Sequence, residues 1–154
     1  IMDTIISSSP EQTFALGAAW AHELGPEWLL GFSGDLGVGK TKLIQGFCHG
    51  WGVSSRVASP TYSLVHAYAS DRGRIHHLDL YRLEGEEALW DAGCVDYLAG
   101  DAEGCVLVEW IDRWLGTFPT LPLPTRPIRK PFRWVSLTAP SETERKIQFE
   151  DFGY

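Results

Sequence analysis

The spacing of apolar positions changes along the chain, and each change marks an element. Trp28-Leu29-Leu30-Gly31-Phe32 is a short, almost unbroken apolar run, as a strand buried on both faces should be. Leu43, Ile44, Phe47 and Cys48 then repeat at the spacing of one helical face. Ahead of this pair, residues 2–6 predict a first short strand. Ser9-Pro10-Glu11-Gln12 predicts a helix start, with Ser9 as N-cap, Pro10 in the first turn and Gln12 closing a capping box. Phe14, Leu16, Ala18, Ala19, Trp20 and Leu24 fill that helix, and Gly25-Pro26 stops it.

Further along, residues 53–61 read as a surface loop closed by Ser59-Pro60. Strict alternation over 62–69 predicts a strand. A turn at 71–74 and a second strand over 75–81 make an antiparallel hairpin the simplest pairing. Residues 84–90 predict a short acidic helix ended by Gly93, and 96–98 one more helical turn. Residues 104–110 form a buried strand carrying Glu109 at its C-terminal end, and 111–115 a helical turn. Pro119, Pro122, Pro124, Pro127 and Pro131 make 118–132 an extended loop. Residues 134–138 and 147–149 complete the chain as strands around a Pro140-Ser141 turn.

Between the apolar run at 28–32 and the helix after Lys40 lies Gly34-Asp35-Leu36-Gly37-Val38-Gly39-Lys40-Thr41, which fits Gly-x-x-x-x-Gly-Lys-Thr. Glycines let a loop turn its backbone N–H groups inward around phosphates, and the following helix points its positive end at the same anion. This pattern assigns Lys40 to the β- and γ-phosphates of a nucleotide and the Thr41 hydroxyl to magnesium. The fold expected is α/β, a P-loop NTPase-like three-layer arrangement with a mixed, mostly parallel central sheet and an antiparallel hairpin. Residues 34–42 and Trp110, at the sheet edge beyond Glu109, are the candidate nucleotide contacts, Lys42 among them.

Magnesium in such a site needs a second acid at a strand's C-terminal end. Asp79 and Glu109 both qualify, with a strand-end turn and a salt-bridge partner as their respective plain alternatives. Thr61 follows Ser59-Pro60 as a switch-loop threonine would. Lys40, Thr61, Asp79 and Glu109 form the candidate catalytic set, and Thr41, Asp79 and Glu109 the candidate metal ligands. His76 and His77 are adjacent, so on a strand they face opposite sides and at most one sees a site; ordinary roles are expected for both. Arg126, Arg129, Lys130 and Arg133 cluster four positive charges, read as a solvated loop. Most of the seven tryptophans sit in apolar company and are read as core.

Composition narrows the picture. With 154 residues, one domain over 1–154 is expected. The net charge of −7 argues against broad non-specific nucleic-acid binding. Cys48, Cys94 and Cys105 show no Cys-x-x-Cys spacing, which predicts reduced thiols rather than a disulfide frame or zinc site. No apolar run reaches the roughly 20 residues of a membrane span, and the N-terminus carries no basic-then-apolar signal, so a cytoplasmic protein is expected.

Taken together, Ser8-Ser9-Pro10-Glu11-Gln12-Thr13, the Gly34–Thr41 loop, Ser59-Pro60-Thr61-Tyr62, His77-Leu78-Asp79-Leu80-Tyr81-Arg82-Leu83 and Leu107-Val108-Glu109-Trp110 resemble the TsaE (YjeE) family from about residue 8 to 110. The resemblance implies a magnesium-dependent ATPase, weak alone, that supports turnover of the TsaD–TsaB complex in threonylcarbamoyladenosine modification of tRNA. Contact with tRNA would then be indirect. Lys42 stands where that family commonly has a second threonine, and the proline-rich basic stretch looks expanded. A GTPase is disfavoured because guanine reading uses Asn-Lys-x-Asp and the chain has no asparagine. A small-molecule or nucleotide kinase remains the alternative, with only Arg126 to Arg133 available as a phosphate-covering lid. A nucleotide-dependent binding module that hydrolyses only with its partner docked overlaps the ATPase reading.

Overall fold

The computed structural model of the chain describes residues 2–35, 37–60, 62–100, 102–116 and 128–153. Leu36, Thr61, Arg126 and most of the proline-rich stretch lie outside the described residues. In chain order the elements are β1 (Asp3–Ser7), α1 (Pro10–Glu23), β2 (Leu29–Ser33), α2 (Lys40–Trp51), β3 (Val65–Tyr68), β4 (Ile75–Asp79), α3 (Gly85–Asp91), α4 (Val95–Ala99), β5 (Cys105–Glu109), α5 (Asp112–Leu115), β6 (Phe132–Thr138) and β7 (Arg145–Phe152).

The described strands form one sheet in the order β1-β7-β6-β2-β5-β4-β3. The pairs β6–β2, β2–β5 and β5–β4 are parallel, while β1–β7, β7–β6 and β4–β3 are antiparallel. Only β3 and β7 therefore run against the common direction, and the β3–β4 hairpin matches the sequence expectation.

Strand alternation divides the core into two. Leu30, Phe32, Ile75, Cys105, Leu107, Val135 and Leu137 face α1 and α2, where Trp20, Leu43, Ile44, Phe47 and Trp51 pack against them. Leu29, Leu78, Val106, Val108, Phe132 and Trp134 face the other way, onto Leu89, Leu98, Ile111 and Trp114 of the later helical segments. Both faces of the central strands are covered, giving three layers and explaining why β2 and β5 read as unbroken apolar runs: all five residues of each are buried.

Ser9 caps α1 as its sequence predicts, accepting from Gln12 N–H at 3.1 Å. The return bond runs one residue further back than a capping box places it, from Ser8 N–H to Gln12 Oε1 at 2.7 Å. Helices α1 and α2 approach closely because small residues line their contact. A Cβ on Gly46 would run into the Phe14 carbonyl, and one on Gly17 would meet the backbone of Leu43 and Phe47.

Several boundaries differ from the alternation pattern. The strand expected over 62–69 begins only at Val65, because Leu64 N–H bonds to the Pro60 carbonyl at 2.8 Å and Leu64 sits at φ 69°, inside a turn. The strand over 75–81 stops at Asp79, whose Oδ1 accepts from Tyr81 N–H at 2.9 Å and turns the chain. Phe132, counted in the proline-rich loop, starts β6. Arg133, expected in a solvated basic loop, is 1% exposed on that strand. Its guanidinium bonds Asp151 at 2.7 Å and Glu23 at 3.0 Å and lies over the Trp20 and Phe149 rings. Lys130 is likewise engaged, with the Gly104 carbonyl.

Candidate nucleotide site

Parallel pairing alone brings the candidate residues to one edge. In the β4–β5 register Asp79 pairs with Glu109, and in the β2–β5 register Phe32 pairs with Glu109. Two carboxylates therefore lie side by side at neighbouring strand ends, next to the strand that runs into the glycine loop. Ligands of open α/β sheets bind at this carboxyl edge.

The loop has the backbone its glycines allow. Gly37 and Gly39 adopt φ of 76° and 108°, the left-handed region that costs a side-chain-bearing residue about 1 kcal/mol or more. Gly39 is the N-cap of α2, and Leu43 N–H closes the first helical bond to its carbonyl at 3.0 Å. Val38 is 5% exposed and packs into the core, and its carbonyl accepts from Arg145 Nε of β7 at 3.0 Å. The loop is thereby pinned from below and from the side.

Lys40 is 4% exposed. Its ammonium donates to the Gly34 carbonyl and, at 2.9 Å, to the Asp35 carbonyl, and it lies 4.2 Å from the centre of the Trp110 indole. Burial pushes its pKa below the usual lysine value, opposed by the charges of Glu109, Asp112, Asp79 and Asp35.

Thr41 Oγ1 donates to Glu109 Oε1 at 3.2 Å, and His77 Nε2 donates to Glu109 Oε2 at 2.8 Å. Burial raises the Glu109 pKa, but His77, together with the hydroxyls of Ser59 and Thr41, carries it below the ordinary carboxylate value. Ser59 Oγ donates to Asp79 Oδ2 at 2.5 Å. Trp110 follows Glu109 at φ 61°, outside the comfortable region for a bulky side chain, a strain of about 1–3 kcal/mol. That turn takes the chain out of β5 and sets the indole against Lys40 and the Tyr81 ring, 5.0 Å between centres.

Gly37, Gly39, Lys40, Thr41, Asp79, Glu109 and Trp110 thus line one cleft of about 290 Å³, completed by Ser59 and Tyr81. Gly34 and Asp35 contribute through the carbonyls that seat Lys40. Lys42 lines not this cleft but a neighbouring cavity of about 320 Å³, on the other side of Gly37 and Gly39, with Ser8, Ser9, Thr13, Glu142 and Arg145. Leu36 and Thr61, both expected here, fall outside the described residues. Sequence reading left out Ser59 and gave His77 no site role. The signal for His77 was its place two residues before Asp79, which puts both on one face of β4. His76 faces the other way, bonding the Glu103 carbonyl at 2.9 Å.

A loop of this kind between β2 and α2 of a three-layer mixed sheet defines a P-loop NTPase-like fold. The crystal structure of Bacillus subtilis YdiB shares the architecture, with a TM-score of 0.70 and 26% identity over 97% of this chain and 84% of that one. The chain belongs to the TsaE family: the family model for threonylcarbamoyl adenosine biosynthesis protein TsaE matches residues 7–146. Proteins named tRNA threonylcarbamoyladenosine biosynthesis protein TsaE align from Nostoc (36% identity, 73% of this chain, 70% of that protein) and Bacillus subtilis (37%, 66% and 62%). The Rickettsia bellii protein of that name is 34% identical over 75% of this chain and 78% of its own length.

Proposed function

We propose that the protein binds ATP with magnesium in the cleft between the glycine loop and the Asp79–Glu109 pair. Hydrolysis there serves tRNA threonylcarbamoyladenosine biosynthesis by supporting turnover of a TsaD–TsaB complex. The observation carrying this reading is the convergence of Lys40 and Thr41, Asp79, and Glu109 on one cleft from three separate parts of the chain. The role within biosynthesis rests on family membership.

The donor chemistry fits the cation. A threonine hydroxyl and two carboxylates are hard oxygen ligands, which magnesium takes in company with phosphates and water. Bound there, magnesium would neutralise charge on the transferred phosphoryl group. The chain's own part is to bind and orient. Backbone N–H groups of the loop and the α2 N-terminus face the phosphates, Lys40 supplies a cation, and Thr41, Asp79 and Glu109 supply oxygen ligands. Glu109, with its pKa lowered, carries its charge at neutral pH and can serve either as a ligand or in aligning water. The Trp110–Tyr81 wall covers one side of the cleft.

The kinase alternative needs mobile arginines over the phosphates. Arg133 is buried in ion pairs with Glu23 and Asp151, which removes one of the cations that reading relies on. A hydrolase requires no such lid.

The test is calorimetry with ATP and magnesium, joined to phosphate release with and without purified TsaD and TsaB. Wild-type protein should bind ATP and release phosphate faster with the partners present, and Lys40→Ala should lose about tenfold or more in ATP affinity. Equal affinity in the variant, or phosphate passed to an added acceptor instead of water, would sink the reading.

A further inference from the structure

Two polar side chains buried behind the cleft take no part in the steps above. His77 is 0% exposed and Tyr68 5% exposed. His77 Nε2 donates to Glu109 Oε2, and its Nδ1 lies 3.0 Å from the Tyr68 hydroxyl. That hydroxyl is shared with the Ala58 carbonyl at 3.2 Å, which His66 Nδ1 also approaches at 3.1 Å. The next residue is Ser59, whose hydroxyl holds Asp79. The segment itself is fastened to α2 where Gln45 Nε2 donates to the Val57 carbonyl at 2.9 Å.

Both site carboxylates are therefore tied to the same three residues, 57–59. Asp79 is tied through Ser59, whose hydroxyl also reaches Glu109, and Glu109 is tied a second time through His77 and Tyr68. An apolar pair would fill the same volume without the desolvation of an imidazole and a phenol, so packing alone gives no reason for the polar chain. What the chain adds is direction: it fixes which way the Glu109 carboxylate faces and links that to the position of the loop. Strand alternation supplies the geometry, since His77 and Asp79 share a face of β4 and Tyr68 lies across the hairpin from Ile75.

We propose that His77 and Tyr68 are positioning residues that orient the Glu109 carboxylate and couple it to segment 57–59, so that displacing this segment reorients both carboxylates together. Its effect on turnover rests on the ATP-hydrolysis reading above; the mechanical coupling does not.

Three variants test it: Tyr68→Phe, which removes only the hydroxyl; His77→Gln, whose side-chain amide can still donate to Glu109; and His77→Leu, which cannot. In nucleotide-free protein, backbone NMR order parameters at Val57, Ala58 and Ser59 should fall in Tyr68→Phe from the rigid range of about 0.85 toward 0.6, with α1 and β7 unchanged. In turnover assays with the partner proteins, Tyr68→Phe should lose about tenfold in kcat while ATP affinity stays within about twofold. His77→Gln should retain more kcat than His77→Leu. Unchanged order parameters at 57–59 would overturn the coupling, as would a loss of order spread evenly over all elements, which signals a merely structural role. Equal kcat in wild type and Tyr68→Phe would overturn the positioning role. If wild-type protein releases no phosphate even with its partners, the hydrolysis reading fails, and the order parameters still decide the coupling.

Discussion

Glu109 and Trp110 are neighbours with opposite local conditions. Glu109 is fixed at both oxygens, by Thr41 and by His77, in a regular strand. Trp110 sits in a backbone conformation its side chain disfavours, at φ 61°. The strain is maintained because Ile111 N–H bonds to the Phe32 carbonyl at 3.1 Å and the Ile111 side chain fills the space over Gly31. Position 110 therefore combines a backbone cost with an indole contact to the Lys40 ammonium, and two substitutions separate them. Trp110→Gly and Trp110→Ala both remove the indole, but only glycine relieves the backbone. In urea unfolding, Trp110→Gly should be more stable than Trp110→Ala by about 1 kcal/mol, the reverse of their usual order. Equal stabilities would mean the left-handed turn carries no strain.

At the scale of elements, α2 does two jobs: it starts at the glycine loop and it packs on α1 with almost no side chain between backbones. Gly46 touches the Phe14 backbone and Gly17 touches that of Leu43 and Phe47. No rotamer change makes room there, since the obstructing atoms are main chain. Gly46→Ala gains helix propensity of about 1 kcal/mol yet has to push the helices apart, at a typical overpacking cost of about 1–3 kcal/mol. The net expectation is a lower Tm, with weaker ATP binding because the start of α2 shifts with the rest of the helix. Scanning calorimetry with and without ATP checks both, and a raised Tm would show that α1 gives way freely. The neighbouring β3–β4 hairpin brings Tyr68 and His77 together, and the parallel β4–β5 register brings Asp79 to Glu109. The distances that define the cleft are set by these pairings rather than by any one loop.

Over the whole molecule, burial governs the chemistry of groups remote from the cleft. All three cysteines are free thiols in the core. Burial pushes Cys48 and Cys105 up to about 12 and raises Cys94 as well. A rise from the ordinary thiol value of 9.0 to about 12 leaves roughly a thousandth of the usual thiolate at neutral pH. Native protein should therefore react with a thiol reagent far more slowly than a free cysteine does, and three equivalents should react at once in denaturant. Fast reaction of one thiol in the native state would mean a local opening reaches the core. Among the described residues no helix is long and apolar enough to cross a membrane. The sequence by itself determined the glycine loop between a buried strand and a helix, the order of strands and helices and the place of Asp79 and Glu109 at strand ends, because these follow from local turn chemistry and from spacing that repeats every two or 3.6 residues. It missed where the strand over 62–69 begins, since a single bond from Leu64 N–H to the Pro60 carbonyl outweighs the alternation there. It likewise placed Arg133 in solvent, because the counter-charges Glu23 and Asp151 lie far away along the chain and meet it only across the sheet. Tertiary structure alone decided that Ser59 and His77 hold the two acids and that Lys40 rests on Trp110. Such contacts depend on register between strands distant in sequence, which no local pattern encodes.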